Sequence, residues 1–379
     1  MPRYCQSCIL PETRPGVSLD PEGVCRGCRN VRRKPEIDWD GRAALFRQVA
    51  AHARDRARSY DCIIPVSGGK DSYWQVVTCL EHGLRPLCVT YVYPGRNRLG
   101  EENLRRLIAL GVDHVEFRLN PRVERAFIEK TFRTMGISGL VTNMAIFTVP
   151  VRIAVAYDVP LVIYGENSAF EYGTRDESLT GARMDRRWLK SFGVSAGTTA
   201  EDWIDDELSR DALAPFILPS DEVLEAKSIH VIFLGYYFPW DPENSRRIAV
   251  SHGFKARAEG PRVGHYDYVN IDDDMIGVHH HPKWHKFGIT RTWDTLSMEI
   301  RQGRLEREKA MAFVSKRGDE TPWDDIRLFC DYLGMPVREY FAILEGFRNR
   351  DLWSRRGGRW MIEEFLIPDF PWPADPRFD

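Results

Sequence analysis

Asp61-Cys62-Ile63-Ile64-Pro65-Val66-Ser67-Gly68-Gly69-Lys70-Asp71-Ser72 is the stretch whose reading decides the fold. Its first half is a short, continuous apolar run, the pattern of a strand covered on both faces. Its second half opens a helical stretch that runs to about His82 and is stopped by Gly83. Gly68 and Gly69 let the backbone turn sharply and come close to an anion. Successive N–H groups at the helix start would then form a nest for phosphate oxygens. Ser67 and Ser72 add hydroxyl donors, and Lys70 adds a counter-charge. Asp71 would repel a bare phosphate, so its position predicts Mg2+ held between its carboxylate and the phosphates. The string is not a Walker A loop, which needs G-x-x-x-x-G-K-[ST]. An ordinary Gly turn with a Ser/Asp helix cap is the alternative; the strand before and the helix after favour nucleotide binding.

Outward from this unit the alternation repeats. Pro86 to Val92 reads as a second strand, Glu101 to Leu110 as a helix stopped by Gly111, and Val115 to Leu119 as a third strand. Helical segments follow through Tyr157. Leu161 to Gly165 reads as a fourth strand and His230 to Tyr237 as a fifth. Strands alternating with helical patterns predict βαβ units and an α/β fold with a doubly wound parallel sheet. Before the sheet, Gly41 to Arg58 forms an amphipathic helix with Leu45, Phe46, Val49 and Ala50 on one stripe. Between the fourth and fifth strands lies a polar stretch, 167–227, that carries Trp188 and Trp203 and suggests an insertion on the substrate side. The chain reads as loop-rich from Asn244 to Gly288 and helical over Leu296–Arg317, Pro322–Leu333 and Pro336 to about Arg348. A Pro-rich tail, Ile367–Asp379, closes it. The expected organisation is a cysteine module over 1–34, a nucleotide-binding domain over 35–255, and substrate-side loops with a helical region over 256–379.

Composition bounds the partners. With Asp+Glu 55 against Lys+Arg 53, the 379-residue chain has no excess positive charge with which to neutralise a polyanion, so nucleic acid is disfavoured. At 43% hydrophobic it can bury enough surface to fold. No apolar run approaches the roughly 20 residues of a membrane span, and the N-terminus lacks a signal-peptide core. The expected location is the cytoplasm.

Cys5, Cys8, Cys25 and Cys28 read C-x2-C-x16-C-x2-C. Each pair can set two thiolates on one tight turn, and two turns complete a closed tetrahedral shell, which predicts a structural zinc ribbon. The spacing alone leaves an iron–sulfur site open. Cys62, Cys79, Cys88 and Cys330 lie in strand or helix patterns and read as buried apolar residues.

The S-G-G-x-D-S motif at 67–72 closely resembles the signature of the PP-loop ATP pyrophosphatase superfamily, whose fold is adenine nucleotide alpha hydrolase-like. Y-C-Q-S-C-I-L-P-E-T-R-P-G-V at the N-terminus and the later G-V-C-R-G-C narrow the likeness. So do G-E-N-S-A-F-E-Y-G at 165–173, L-G-Y-Y-F-P-W-D at 234–241, H-K-F-G-I at 285–289 and R-E-K-A at 307–310. From Tyr4 to about Trp353 the chain resembles the N-acetyl sugar amidotransferases of the WbpG and PseA type, which act in lipopolysaccharide O-antigen and related surface-glycan synthesis. The resemblance implies conversion of an acetamido group on a nucleotide-linked N-acetyl sugar to an acetamidino group. ATP would be cleaved to AMP and pyrophosphate. It also implies that Thr90 and Tyr91 lie near the adenosine, that Gly165 and Glu166 face the reacting carbonyl, and that Lys286 contacts a phosphate or sugar acid. Ammonia would come from a separate glutaminase subunit similar to that of histidine biosynthesis, with or without a cyclase-like channel subunit.

An acetamide oxygen is a poor leaving group, so adenylylation must precede attack by ammonia, and a general base must take the ammonia's protons. Glu166 is the first candidate and Glu171 the second. A PP-loop tRNA-modifying enzyme is the rival reading; it predicts a basic face and a catalytic cysteine pair. His279-His280-His281 with His285 invites a metal, but adjacent histidines on an extended chain point to opposite faces. Asp272-Asp273-Asp274 reads as a solvated acidic turn, and Arg304, Arg307, Glu308 and Lys309 as an exposed helix face.

Overall fold

The computed structural model describes residues 2–192 and 196–373. Five strands form one all-parallel sheet: β1 Cys62–Pro65, β2 Pro86–Tyr91, β3 Asp113–Phe117, β4 Leu161–Tyr164 and β5 His230–Phe233. Their order is β3-β2-β1-β4-β5, the doubly wound arrangement expected. The chain winds outward from β1 through β2 to β3, then returns to the middle and winds the other way through β4 to β5. The order therefore reverses between β1 and β4. In open α/β sheets the crevice beyond the carboxyl ends at such a point is where ligands bind. Ile63 pairs with Val162; carried two residues further, that register sets Pro65 beside Tyr164, so the loops after β1 and β4 leave the sheet together.

Side chains alternate across the sheet. Ile63, Leu87, Val89 and Val162 face helices Pro121–Met135 and Leu140–Tyr157. Cys62, Ile64, Cys88 and Ile163 face helices Trp39–Arg56, Lys70–Glu81, Arg98–Ile108 and Pro242–Ser251. Burial on both sides is why these strands are written as unbroken apolar runs. Leu140–Tyr157 is long and apolar enough by length and composition to cross a bilayer. Here it lies against the sheet, with Leu140, Val141, Ala145, Val149 and Ala154 buried. Pro150 removes a donor inside this helix. The Tyr164 hydroxyl, on β4, donates to the carbonyls of Ile146 at 3.2 Å and Phe147 at 3.0 Å, so the freed Ile146 carbonyl is satisfied from the sheet.

Several boundaries differ from the sequence reading. The fifth strand stops at Phe233, and Leu234–Tyr237 turns into a short helix because the Gly235 N–H donates to the Gly165 carbonyl. The stretch after Asn244 is not wholly loop: it holds helices Pro242–Ser251, Ile276–His280 and Pro282–Phe287. The expected helix over 296–317 is two helices, Arg291–Arg301 and Arg307–Arg317, broken near Gly303 at φ +70°. A hairpin, β6 Trp353–Arg356 and β7 Arg359–Ile362, was not anticipated. Its Gly357-Gly358 turn, with positive φ at both residues, is the signal that marks it.

The 167–227 segment closes the β5 edge rather than standing apart. Met184 N–H donates to Val231 O, and Phe233 N–H donates to Ala182 O. Trp188 is buried against Phe147 and Phe233, so that tryptophan is core. Residues 193–195 of this segment, and 374–379 of the tail, lie outside the described residues. The cysteine segment shares a third core with the C-terminal region: Cys5, Ile9, Leu10 and Val17 pack with Trp284, Ile289, Trp293, Leu296, Trp353 and Ile362. The two ends of the chain make one layer.

Candidate functional site

The loop after β1 is held from several sides. Val66 O accepts the Thr90 hydroxyl at 2.7 Å, Ser67 O accepts Arg96 Nη2 at 2.9 Å, and Ser67 N–H donates to Ser72 Oγ at 3.0 Å. Gly68 has φ +87°, and a Cβ there would lie 2.6 Å from the Leu104 backbone nitrogen. Only glycine meets both demands. Helix Lys70–Glu81 starts from Gly69, with its N-terminus at the switch point. Lys70, buried, pairs with the neighbouring Asp71 carboxylate and lies 5.5 Å from the Trp240 ring centroid. Trp240 Nε1 donates to Asp71 Oδ1 at 2.9 Å.

Across the crevice, Gly165-Glu166-Asn167 follows β4. Buried Asn167 pins this turn: its amide nitrogen donates to Leu179 O and Gly181 O, both at 2.9 Å, and its oxygen accepts from Ala169 N–H and Trp188 Nε1. Gly235 packs so closely that a Cβ would lie 3.1 Å from Glu166 Cα. Glu166 is thereby presented to the same cleft as Lys70 and Asp71, a cavity of about 240 Å³. Burial pushes the Glu166 carboxyl up to about 7; the charge of Asp71 adds to the rise and that of Lys70 opposes it. A carboxyl titrating near neutrality can exchange a proton at working pH.

The remaining wall comes from the C-terminal region and from the turn after Glu166: Tyr172, Tyr266, Tyr268, Asp272, Arg291 and Met298. Tyr266 and Tyr268 have ring centroids 4.7 Å apart. Apart from Asp272 in the acidic run, none of these was singled out in the sequence, although Tyr172 lies inside the quoted G-E-N string, as Trp240 lies inside the L-G-Y-Y string. The acidic run is not a solvated turn. Asp272 lines the cleft, Asp274 accepts from Arg262 and Asn97, and burial pushes Asp273 up to about 7. Asn97 docks it against the loop after β2, and Arg262 ties it to Asp325.

Other expected site residues lie off this cleft. Thr90 is occupied by Val66 O and His114, and Tyr91 by Glu124; both are buried. Glu171 pairs with Lys34 at 2.8 Å and lines a separate cavity of about 440 Å³ with Asn30, Arg33, Phe170 and Tyr236. Lys286 donates to Met135 O and lies 5.0 Å from the Phe347 centroid, with burial lowering its ammonium to about 8. The histidines are helical rather than extended, and His280, His281 and His285 are buried. His281 Nδ1 lies 3.0 Å from the Tyr340 hydroxyl.

Among the described residues, Cys5, Cys8, Cys25 and Cys28 form the cluster whose ligand atoms approach closely enough for a metal, all within 4.8 Å of one another. The Cys5–Cys28 and Cys8–Cys25 sulfurs are 3.9 and 3.7 Å apart. A tetrahedron with metal–sulfur bonds of about 2.3 Å has edges of about 3.8 Å, whereas a disulfide would need about 2.05 Å. The four thiolates fit zinc. Arg301 Nη2 lies 3.4 Å from Cys25 Sγ, and this partly buried cation would offset part of the excess negative charge of four thiolates holding one divalent ion. Gly27 makes room for it: a Cβ there would lie 2.6 Å from Arg301 Cζ. Arg301 Nη1 also donates to Glu171 O at 3.1 Å, which ties the cysteine cluster to the G-E-N turn. Arg307 donates to Cys8 O at 3.0 Å and Arg304 pairs with Asp241 and Glu299. Arg307 is therefore docked against the cysteine segment, whereas Arg304, Glu308 and Lys309 are exposed, as expected.

Residues 261–366 match the family model described as LPS biosynthesis protein WbpG-like, C-terminal domain. No curated protein matches the chain. Among solved structures, NMN synthetase from Francisella tularensis aligns at 12% identity over 74% of this chain and 92% of that chain, with a TM-score of 0.31. A score that low says nothing about chemistry.

Proposed function

We propose that this chain, whose residues 261–366 match the WbpG-like C-terminal domain model, is an ATP-dependent amidotransferase. Its substrate is a nucleotide-linked N-acetyl sugar of surface-glycan synthesis. The observation that carries this reading is the shared crevice: an anion-cradling loop after β1 and a carboxyl near neutrality after β4, side by side at the switch point.

The acetamido oxygen attacks the α-phosphorus of ATP and pyrophosphate leaves with the broken P–O bond. Ammonia then adds to the imidate carbon, and the C–O bond breaks as AMP departs with that oxygen. Loop N–H groups and Lys70 would neutralise the charge that develops on the pyrophosphate, which is electrostatic stabilisation from a preformed site. Asp71 would hold Mg2+, which supplies further charge neutralisation. Glu166 takes a proton from the attacking ammonia. Ammonia would arrive from a separate glutaminase subunit. In support, the four cysteines outside the metal cluster are buried, and burial pushes the Cys330 thiol up to about 11, far from a reactive thiolate.

The test is to incubate the protein with Mg-ATP, ammonium chloride and a panel of UDP- and CMP-linked N-acetyl sugars, and to weigh the products. A sugar lighter by the difference between O and NH, with AMP and pyrophosphate released, supports the reading. Modification of bulk tRNA in place of any sugar overturns it.

A further inference from the structure

Asp294 is 1% exposed and carries three cations. Its Oδ1 accepts Arg14 Nε at 2.5 Å. Its Oδ2 lies 3.1 Å from Lys283 Nζ and 3.7 Å from Arg291 Nη1. The three come from distant parts of the chain: the cysteine module, the histidine-bearing helix, and the first turn of helix Arg291–Arg301. Burial would by itself raise the Asp294 carboxyl; Arg14, Lys283 and Arg291 outweigh it and hold the group well below the usual range. It is therefore ionised, and the charge of Glu166, in the same cleft, also reaches Arg291; three cations against these two carboxylates leave one positive charge in excess with Glu166 ionised and two with it protonated. The neighbouring His279 and His280 add none, since burial keeps both imidazoles neutral.

Half-buried cations without counter-charge are costly unless something pairs with them. The cluster meets the cleft through Arg291, with Arg14 and Lys283 behind it on Asp294. Arg291 and Tyr172 line the cleft, and the Arg14 guanidinium lies 5.6 Å from the Tyr172 ring centroid. Arg291 Nε is buried with no partner. The wall it forms belongs to the C-terminal region, whereas the phosphate-cradling loop belongs to the sheet.

We propose that Arg14, Lys283 and Arg291 form a second anion subsite that binds a phosphate or carboxylate of the acceptor substrate, separately from the ATP phosphates. Its assignment to the sugar rests on the proposed function; its preference for an anion rests on the charge excess alone. Asp294 is a positioning residue that holds the three cations in one place. A bidentate guanidinium beside an ammonium suits either the diphosphate of a carrier nucleotide or a sugar carboxylate.

The test is calorimetric, on the full chain, with UDP-N-acetylglucosamine as the phosphate probe and N-acetylneuraminate as the carboxylate probe. Mg-ATP is titrated in parallel. The expected result is that one probe binds the native protein and that Lys283→Gln weakens it by roughly tenfold, with Mg-ATP affinity held within about twofold. Arg14→Gln carries the same expectation should Lys283→Gln fail to fold. The probe that responds names the source of the anion. Neither probe binding, or probe affinity unchanged in a folded variant, overturns the proposal. So does an equal loss of Mg-ATP affinity, which would make the cluster part of the ATP site. If Mg-ATP fails to bind the native protein while a probe still depends on Lys283, the ATP reading falls and the subsite stands.

Discussion

The sheet half and the cysteine–C-terminal half supply opposite walls of one cleft, and they are assembled in different ways. In the sheet half, the chemistry is local. Ser67 to Ser72 follow one strand and open one helix, so strand, turn and anion nest lie in one string. In the other half the chemistry is collected. Asp294 gathers Arg14 from about 280 positions away, and Arg301 reaches back to Cys25 and Glu171. The first wall depends on backbone geometry, the second on ion pairs and a four-cysteine cluster between the two ends of the chain.

The comparison can be broken most forcefully at the cysteines. Cys25→Ser opens the thiolate shell, and because metal binding is coupled to folding it should cost about 5 kcal/mol or more. Metal analysis and thermal unfolding check this; an unchanged melting temperature with metal retained would mean the layer does not depend on the cluster. Asp71→Asn acts on the other wall. The amide keeps an acceptor for Trp240 but loses the charge, so turnover should fall by about 10³-fold, with a fall in melting temperature because buried Lys70 loses its ion pair.

Glu166→Gln should lower kcat by about 10² to 10⁴-fold. In the native protein, rate should rise with pH through about 7, as the carboxyl loses its proton; the variant should lack that limb. The stability sign is the reverse. The folded-state value lies above the ordinary carboxylate value of about 4.3, so the folded state binds more protons between the two and native stability falls as pH rises through that window. Glu166→Gln should therefore stabilise the fold at pH 8 by about 1–3 kcal/mol, measured by denaturant unfolding, with little effect near pH 4. Smallest is Gly27→Ala. It would push Arg301 from the sulfurs at a cost of about 1–3 kcal/mol, and an unchanged unfolding midpoint would show that the guanidinium moves freely.

The same contrast explains what was legible in the sequence. The parallel sheet, its five strands, the glycine turn after β1 and the four cysteines all rest on periodicity, glycine pairs or fixed spacing, and each was visible. Glu166 came with the G-E-N turn. Thr90, Tyr91, Glu171 and Lys286 were expected in the site but are taken up by Val66, Glu124, Lys34 and Met135, because a residue type in a suggestive string does not disclose which way its side chain turns. His285 became helical once Pro282 and Gly288 bounded a turn that the polar composition masked, and His279 and His280 lie in the helix before it, Ile276–His280. Arg14, Lys283, Arg291 and Asp294 carry no pattern at all: their meaning is a charge balance, and that exists only after the ends of the chain meet.

The most direct test of the central claim follows one atom. A nucleotide-linked N-acetyl sugar labelled with heavy oxygen at the acetamido carbonyl is turned over with Mg-ATP and ammonium, and the released AMP is weighed. The account predicts that the label leaves the sugar and appears in the phosphate of AMP, as it must if the acetamido oxygen attacked the α-phosphorus. Label retained in the sugar, or found in pyrophosphate instead, would contradict it.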